Sequence, residues 1–253
     1  MNNKVFGSLC LDGRQVEEDL PYEPGAVISI EKRPGRQRLK WVAVNGLLIY
    51  RGILLPRASW DDLDAQGLIT GKPMCFDGVD VIARAPRIGS SRGEPCEWKD
   101  LMETVERVWG RDASSYTMDI AQFWGQEDVC GMPGHKATSW TQNRFAYQAR
   151  PSDTRLWNCG WLPILEPLHT PPNDTLIGRR VTVWSGDLSM TGTLKDFSDY
   201  DLVLELVSEL PAKGPGPQFF SPIWNESRTG HDFLVDRSAL TLIHPTYEHG
   251  WSK

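Results

Sequence analysis

A chain of 253 residues, 40% apolar and 24% charged, is long enough for one large domain or two modest ones with true hydrophobic cores. Its formal net charge of −6 argues against general nucleic-acid binding, which needs a basic face, though a local basic groove stays open. No apolar run reaches the roughly 18–20 residues that span a membrane as a helix, and the N-terminus lacks a signal-peptide core. The five cysteines (Cys10, Cys75, Cys96, Cys130, Cys159) are odd in number and widely spaced, without a C-x-x-C. That pattern predicts reduced thiols and a cytoplasmic location in the host cell interior.

In chain order, residues 26–33 read as a strand, closed by a turn at Pro34-Gly35. Residues 39–55 hold two strand-like runs around Asn45-Gly46, a strong hairpin dipeptide. Ser59 is a good helix N-cap, Asp61 and Asp62 belong in the first turn, and Gly67 is a stop. Residues 72–88 predict a second hairpin turning at Asp77-Gly78. Residues 97–109 place Trp98, Leu101, Met102, Val105, Val108 and Trp109 on one helical stripe. Residues 110–138, rich in Gly, Ser and Asp, predict a long ordered loop region, followed by short strands at 144–150 and 161–165.

A composition break comes at Glu166 to Asp174, which carries three prolines and reads as a linker. Beyond it, several short alternating runs predict strands, with a loop at Lys213 to Pro217. The expected domains are 1–168, a linker at 169–173, a small SH3- or Sm-like β-barrel at 174–246, and a tail at 247–253.

Candidate chemistry is sparse. Gly89-Ser90-Ser91-Arg92-Gly93 matches the G-x-S-x-G pattern, but Glu94-Pro95 delays the helix and no parallel βαβ series surrounds it. His135 lies near Cys130 without a third ligand at metal spacing. Asp61, Asp62 and Asp64 read as capping charges rather than a metal site. No P-loop or G-x-G-x-x-G is present. These readings predict no catalytic set, no metal and no cofactor.

The segment Ser139 to Leu168 is different. It packs Arg144, Arg150 and Arg155 among Trp140, Phe145, Tyr147, Trp157 and Trp161. Guanidinium groups beside aromatic faces suit an anionic or planar partner. The predicted ligand-binding set is Trp124, Trp140, Arg144, Tyr147, Arg150, Arg155 and Trp157.

Four stretches, NGLLIYRGILLPRASWDDLDAQG, EPCEWKDLM, FWGQE and GWLPILEPL, resemble an uncharacterised Firmicutes and prophage family. Its members end in Gly-(Trp/Phe)-Arg-Pro-Val-Leu-Glu, similar to formylglycine-generating-enzyme-like domains and retroelement variable proteins. The resemblance implies an α+β fold, with a C-type-lectin-like domain followed by the small all-β barrel. Leu162 stands where the family motif has arginine, and Cys96 where it has asparagine. The paired copper-binding cysteines and the three-histidine iron set of the enzymatic relatives have no counterpart. In the C-terminal region, an Sm-like first motif carries Asp201 in place of the RNA-binding asparagine.

The resulting expectation is a non-enzymatic recognition protein encoded by a phage or mobile element. Loops of its first domain would bind a protein or a small anionic or planar ligand, and the barrel would serve as an interaction or homo-oligomerisation module. No general nucleic-acid or membrane binding is expected. The alternatives are a hydrolase using Ser91 as nucleophile and a structural phage-particle component.

Overall fold

The computed structural model describes residues 3–5, 7–31, 38–76, 79–90, 94–109, 121–141, 143–185, 188–209, 219–223 and 232–245. These form two compact units. The first takes the described residues up to Phe76 and from Val81 to Glu166. The second takes Val79, Asp80 and the described residues from Pro167 onward.

The first unit begins with β1 (Asn3–Val5), β2 (Ser8–Leu11), β3 (Arg14–Gln15), β4 (Ile28–Glu31), β5 (Lys40–Val44), β6 (Leu47–Tyr50) and β7 (Leu54–Pro56). Helix α1 (Trp60–Asp64), β8 (Lys72–Phe76), β9 (Val79–Arg84) and helix α2 (Glu97–Trp109) follow. It closes with β10 (Gln122–Asp128), β11 (His135–Trp140), β12 (Asn143–Pro151), β13 (Cys159–Trp161) and β14 (Ile164–Pro167). Three sheets result, ordered β1-β5-β6-β14-β9-β8, β12-β11-β10-β13-β7 and β3-β2-β4.

Local chemistry explains several of these elements. The β5–β6 hairpin turns at Asn45 (φ 50°) and Gly46 (φ 77°), both left-handed, as a two-residue primed turn requires. Ser59 caps α1 in a reciprocal box: its hydroxyl accepts from the Asp62 N–H, and the Asp62 carboxylate accepts from the Ser59 N–H. Helix α2 buries Trp98, Leu101, Met102 and Val105 against Val42, Ile49, Phe123, Ala137 and Ile164. The Trp98 and Phe123 rings meet edge to face at 4.9 Å.

The second unit contains β15 (Arg180–Ser185), β16 (Leu188–Phe197), β17 (Asp201–Glu209), β18 (Phe220–Ile223), β19 (Asp232–Asp236) and β20 (Leu242–Pro245). They make one antiparallel sheet in the order β18-β19-β17-β16-β15-β20. Alternate residues Val181, Val183, Leu202, Leu204, Phe233 and Val235 build its core. The Trp184 indole donates to His244 Nε2 at 3.1 Å across β15 and β20.

The expected α+β class is corrected. The described residues are 49% strand and 12% helix, with four sheets and two α-helices among them. An α+β fold with a C-type-lectin-like first domain therefore does not describe it. Much of the stretch read as loop is sheet: β10 and the start of β11 fall inside 110–138. The signal was hidden because β10 carries Gly125 and an irregular register between Trp124 and Asp128, which breaks the period-2 alternation. Gly125 faces Ile88 so closely that an added Cβ would lie 2.4 Å from its side chain. Among the described residues, no helix is long and apolar enough to cross a membrane. The turns at Pro34-Gly35 and Asp77-Gly78, the 213–217 loop, the 247–253 tail and the side chains of Val108 and Trp109 lie outside the described residues.

Candidate binding face of the five-stranded sheet

Strand alternation divides the sheet β12-β11-β10-β13-β7 into two faces. Phe123 and Ala137 belong to the core built on α2. Gln122 and Trp124 point the other way. Cross-strand pairing puts Thr138 beside Trp124, Gln148 beside Thr138, Arg150 beside Lys136 and Cys159 beside Gln122. This second face is therefore polar along one side. Segment 58–62 covers part of it. The Trp124 indole donates to Ala58 O at 2.8 Å, and the Trp60 indole donates to Gly125 O at 3.0 Å. The Lys136 ammonium sits 3.6 Å from the centre of the Trp60 ring.

The polar side is a linked set. Gln122, only 1% exposed, donates from Nε2 to Gln148 Oε1 at 2.7 Å. Arg150 donates from Nη2 to the same oxygen at 3.1 Å. Two atoms of this set are buried without a hydrogen-bond partner, Gln122 Oε1 and Arg150 Nε. Native proteins leave few such atoms, because each forfeits its hydration without return.

The turn after β12 closes over the same end of the sheet. The Gln122 N–H donates to Asn158 O at 2.7 Å, the Cys159 N–H to Leu156 O at 3.1 Å, and the Arg57 N–H to Cys159 O at 2.8 Å. Burial pushes the Cys159 thiol up, and the nearby Arg150 charge only partly opposes it, so it titrates at about 12. At neutral pH it is a protonated thiol and a poor nucleophile. Leu55 (φ 61°) and Arg57 (φ 69°) flank Pro56 in left-handed conformations that residues with side chains rarely adopt. Such strain concentrates at functional sites.

The seven residues singled out in the sequence are distributed as follows. Trp124 is a core ring, 0% exposed and hydrogen-bonded inside, so it cannot meet a ligand. Trp140 is half-buried at the end of β11. Arg144 lies on β12, with its side chain outside the described residues. Tyr147, 38% exposed, pairs with Ser139 and so shares the face of Phe123, away from Arg150. Arg150 belongs to the polar set. Arg155 is exposed and bonds Asp62 at 2.7 Å and Asp153 O at 3.3 Å. Trp157, 80% exposed, lies in the turn between Leu156 and Asn158, whose carbonyl accepts from the Gln122 N–H. The structure thus puts Arg150 near the end of β12, with Arg155 and Trp157 on the segment that crosses from there to β13, and leaves Trp124 in the core and Tyr147 on the opposite face. Sequence reading missed Gln122 and Gln148. For Gln148 the signal was the period-2 spacing from Arg150; for Gln122 there was none.

Other candidates give less. Ser91 lies outside the described residues, while its neighbour Ser90 donates from N–H and hydroxyl to Glu94 at 2.6 and 3.1 Å. Among the described residues, no group of three or more His, Cys, Asp or Glu side chains is placed to hold a metal. Comparison with family models, with curated proteins and with solved structures finds no match.

Proposed function

We propose that this chain is a non-enzymatic recognition protein that binds a protein or a small anionic or planar ligand at the segment that crosses the five-stranded sheet from β12 to β13. Trp157 carries the reading. An indole left 80% in water is an unfavourable use of a large ring unless a partner covers it. The turn that holds it is fixed by backbone bonds to Leu156 and Gln122, so the ring is presented rather than frayed. Arg155 precedes it by two residues, and Arg150 stands in the adjacent polar set. Planar donors and a π surface are thereby offered together. The phage or mobile-element setting rests on the sequence resemblance alone.

The test is affinity capture from the native host with the wild-type chain and with Trp157→Ala, with each captured partner identified and its binding measured. Truncating an exposed anchor leaves the melting temperature unchanged and weakens binding about tenfold or more. Equal binding by Trp157→Ala removes the proposal.

A further inference from the structure

We infer that Gln122 reads a cis-amide edge, a carbonyl with an N–H beside it, and that the exposed side chain of Gln148 holds the carbonyl position until such a ligand arrives. The inference rests on the binding face proposed above and names the chemistry that the face accepts.

Gln148 Oε1 is held by two donors, Gln122 Nε2 at 2.7 Å and Arg150 Nη2 at 3.1 Å. Gln148 meets Gln122 through its oxygen alone, since its own Nε2 does not reach Gln122 Oε1. The Gln122 carboxamide has a second half, Oε1, which is buried and has no donor. The Arg150 fork likewise has a second prong, Nε, which is buried and has no acceptor. A carboxamide pairs completely with a group that offers an acceptor and a donor on one edge, two parallel hydrogen bonds closing a ring. The ligand carbonyl would take the place of Gln148 Oε1 and accept from Gln122 Nε2 and the Arg150 fork. The adjacent ligand N–H would donate to Gln122 Oε1. The orphaned Gln122 Oε1 would then gain its donor.

The arrangement selects against simple anions. Sulfate offers only acceptors and would set a negative oxygen against Gln122 Oε1. It also explains why Gln148 is displaceable. Gln148 is exposed, so its carboxamide exchanges one carbonyl contact for water, whereas Gln122 is 1% exposed and has no such exchange. Two sources carry the required edge, lactam-form nucleobases and primary carboxamides.

The experiment is titration of the full chain with uridine and with nicotinamide, followed by ligand-observed NMR. Their N-methylated forms, 3-methyluridine and N,N-dimethylnicotinamide, and sulfate serve as controls. At least one parent compound should bind saturably, and its methylated form should bind at least about tenfold more weakly. Which parent binds decides between nucleobase and carboxamide. Gln148→Ala removes the competing carbonyl at an exposed position and should tighten binding. Gln122→Glu replaces the donor with a second acceptor and should abolish it. The inference is overturned if methylation makes no difference, if sulfate binds in preference, or if neither parent binds even to Gln148→Ala. Loss of amide binding with partner capture still dependent on Trp157 would overturn this inference alone and leave the recognition reading standing.

Discussion

Arg84 and Glu97 form a two-pronged ion pair at the start of α2: Nη1 donates to Oε2 at 2.8 Å and Nη2 to Oε1 at 2.6 Å. Arg84 is 4% exposed, and its Nε reaches Glu166 at 3.0 Å, while Nη1 also donates to Ala85 O. The glutamates of the Cys-Glu-Trp and Leu-Glu-Pro stretches therefore converge on one arginine. Nearby, Gln126 donates to Ala85 O at 2.8 Å, and Glu127 accepts from the Ile88 N–H. Glu97, Gln126, Glu127 and Glu166, four residues of the stretches that carry the sequence resemblance, thus brace segment 84–88.

Removing Arg84 leaves the largely buried Glu97 carboxylate without its partner. Breaking one side of such a pair costs about 3–5 kcal/mol. Arg84→Ala should therefore lower the denaturant midpoint of the first unit sharply. Arg84→Met combined with Glu97→Leu should recover much of that loss, because no charge is then stranded. Equal losses in the single and double variants would show that packing, not charge, dominates.

The same pair sets an acid limit. Burial pushes the Glu97 carboxyl up, but Arg84 and the Arg87 N–H outweigh it and hold the group below the ordinary glutamate range. A carboxyl depressed on folding stabilises fully above its unfolded value and loses that contribution as pH falls through the folded one. Denaturant midpoints measured between about pH 3 and pH 6 should fall toward acid, with a shallower slope in Glu97→Gln.

Gly160 faces a harder constraint than its turn-forming counterparts. A Cβ there would lie 2.4 Å from Leu55 O and 2.9 Å from Leu55 C, both backbone atoms. Gly160→Ala should cost about 3 kcal/mol through forced separation of β13 and β7. Gly131, with φ 75° and nothing within 4 Å of its virtual Cβ, should cost only about 1 kcal/mol as alanine. A thermal melt of each variant checks the contrast.

What was legible followed short-range chemistry. Asn45-Gly46, the Ser59 cap and the stripe of Trp98, Leu101, Met102 and Val105 all announce themselves within one turn or one hairpin. Strand β10 did not, because its conformation depends on Ile88 packing against Gly125, a contact that sequence spacing cannot reveal. The arginines and rings of 139–168 were visible as a cluster. Their sorting to two faces was not, since it depends on register: Tyr147 pairs with Ser139 and turns away, while Gln148 pairs with Thr138 and turns toward Gln122. Trp124 reads like Trp157 in composition, and only the Ala58 carbonyl and full burial separate the core ring from the exposed one.

Cys159 gives an alkaline prediction of opposite sign to that of Glu97. Its thiol is buried and raised to about 12, whereas an unfolded cysteine ionises near about 8.5. An acid raised on folding stabilises fully below the unfolded value and loses that contribution as pH rises toward the folded one. Stability should fall from about pH 8.5 upward, and Cys159→Ala should flatten the decline. Native alkylation at about pH 8 should reach the exposed Cys130 long before Cys159.

The left-handed residue Arg57 offers a test of whether strain at the candidate face is useful. Its side chain is exposed, and its N–H holds Cys159 O at 2.8 Å. Glycine adopts φ 69° without the Cβ clash that arginine bears, and its N–H can make the same bond. Arg57→Gly should therefore raise stability by about 1 kcal/mol, read as a higher melting temperature. Leu55 is a poorer probe because it is fully buried, and truncating it also empties the core. If the strained turn positions the Cys159 end of β13 for binding, Arg57→Gly should gain stability and lose affinity for the partner that Trp157 contacts. A variant that is more stable and binds as tightly as the wild type would show that the strain is incidental.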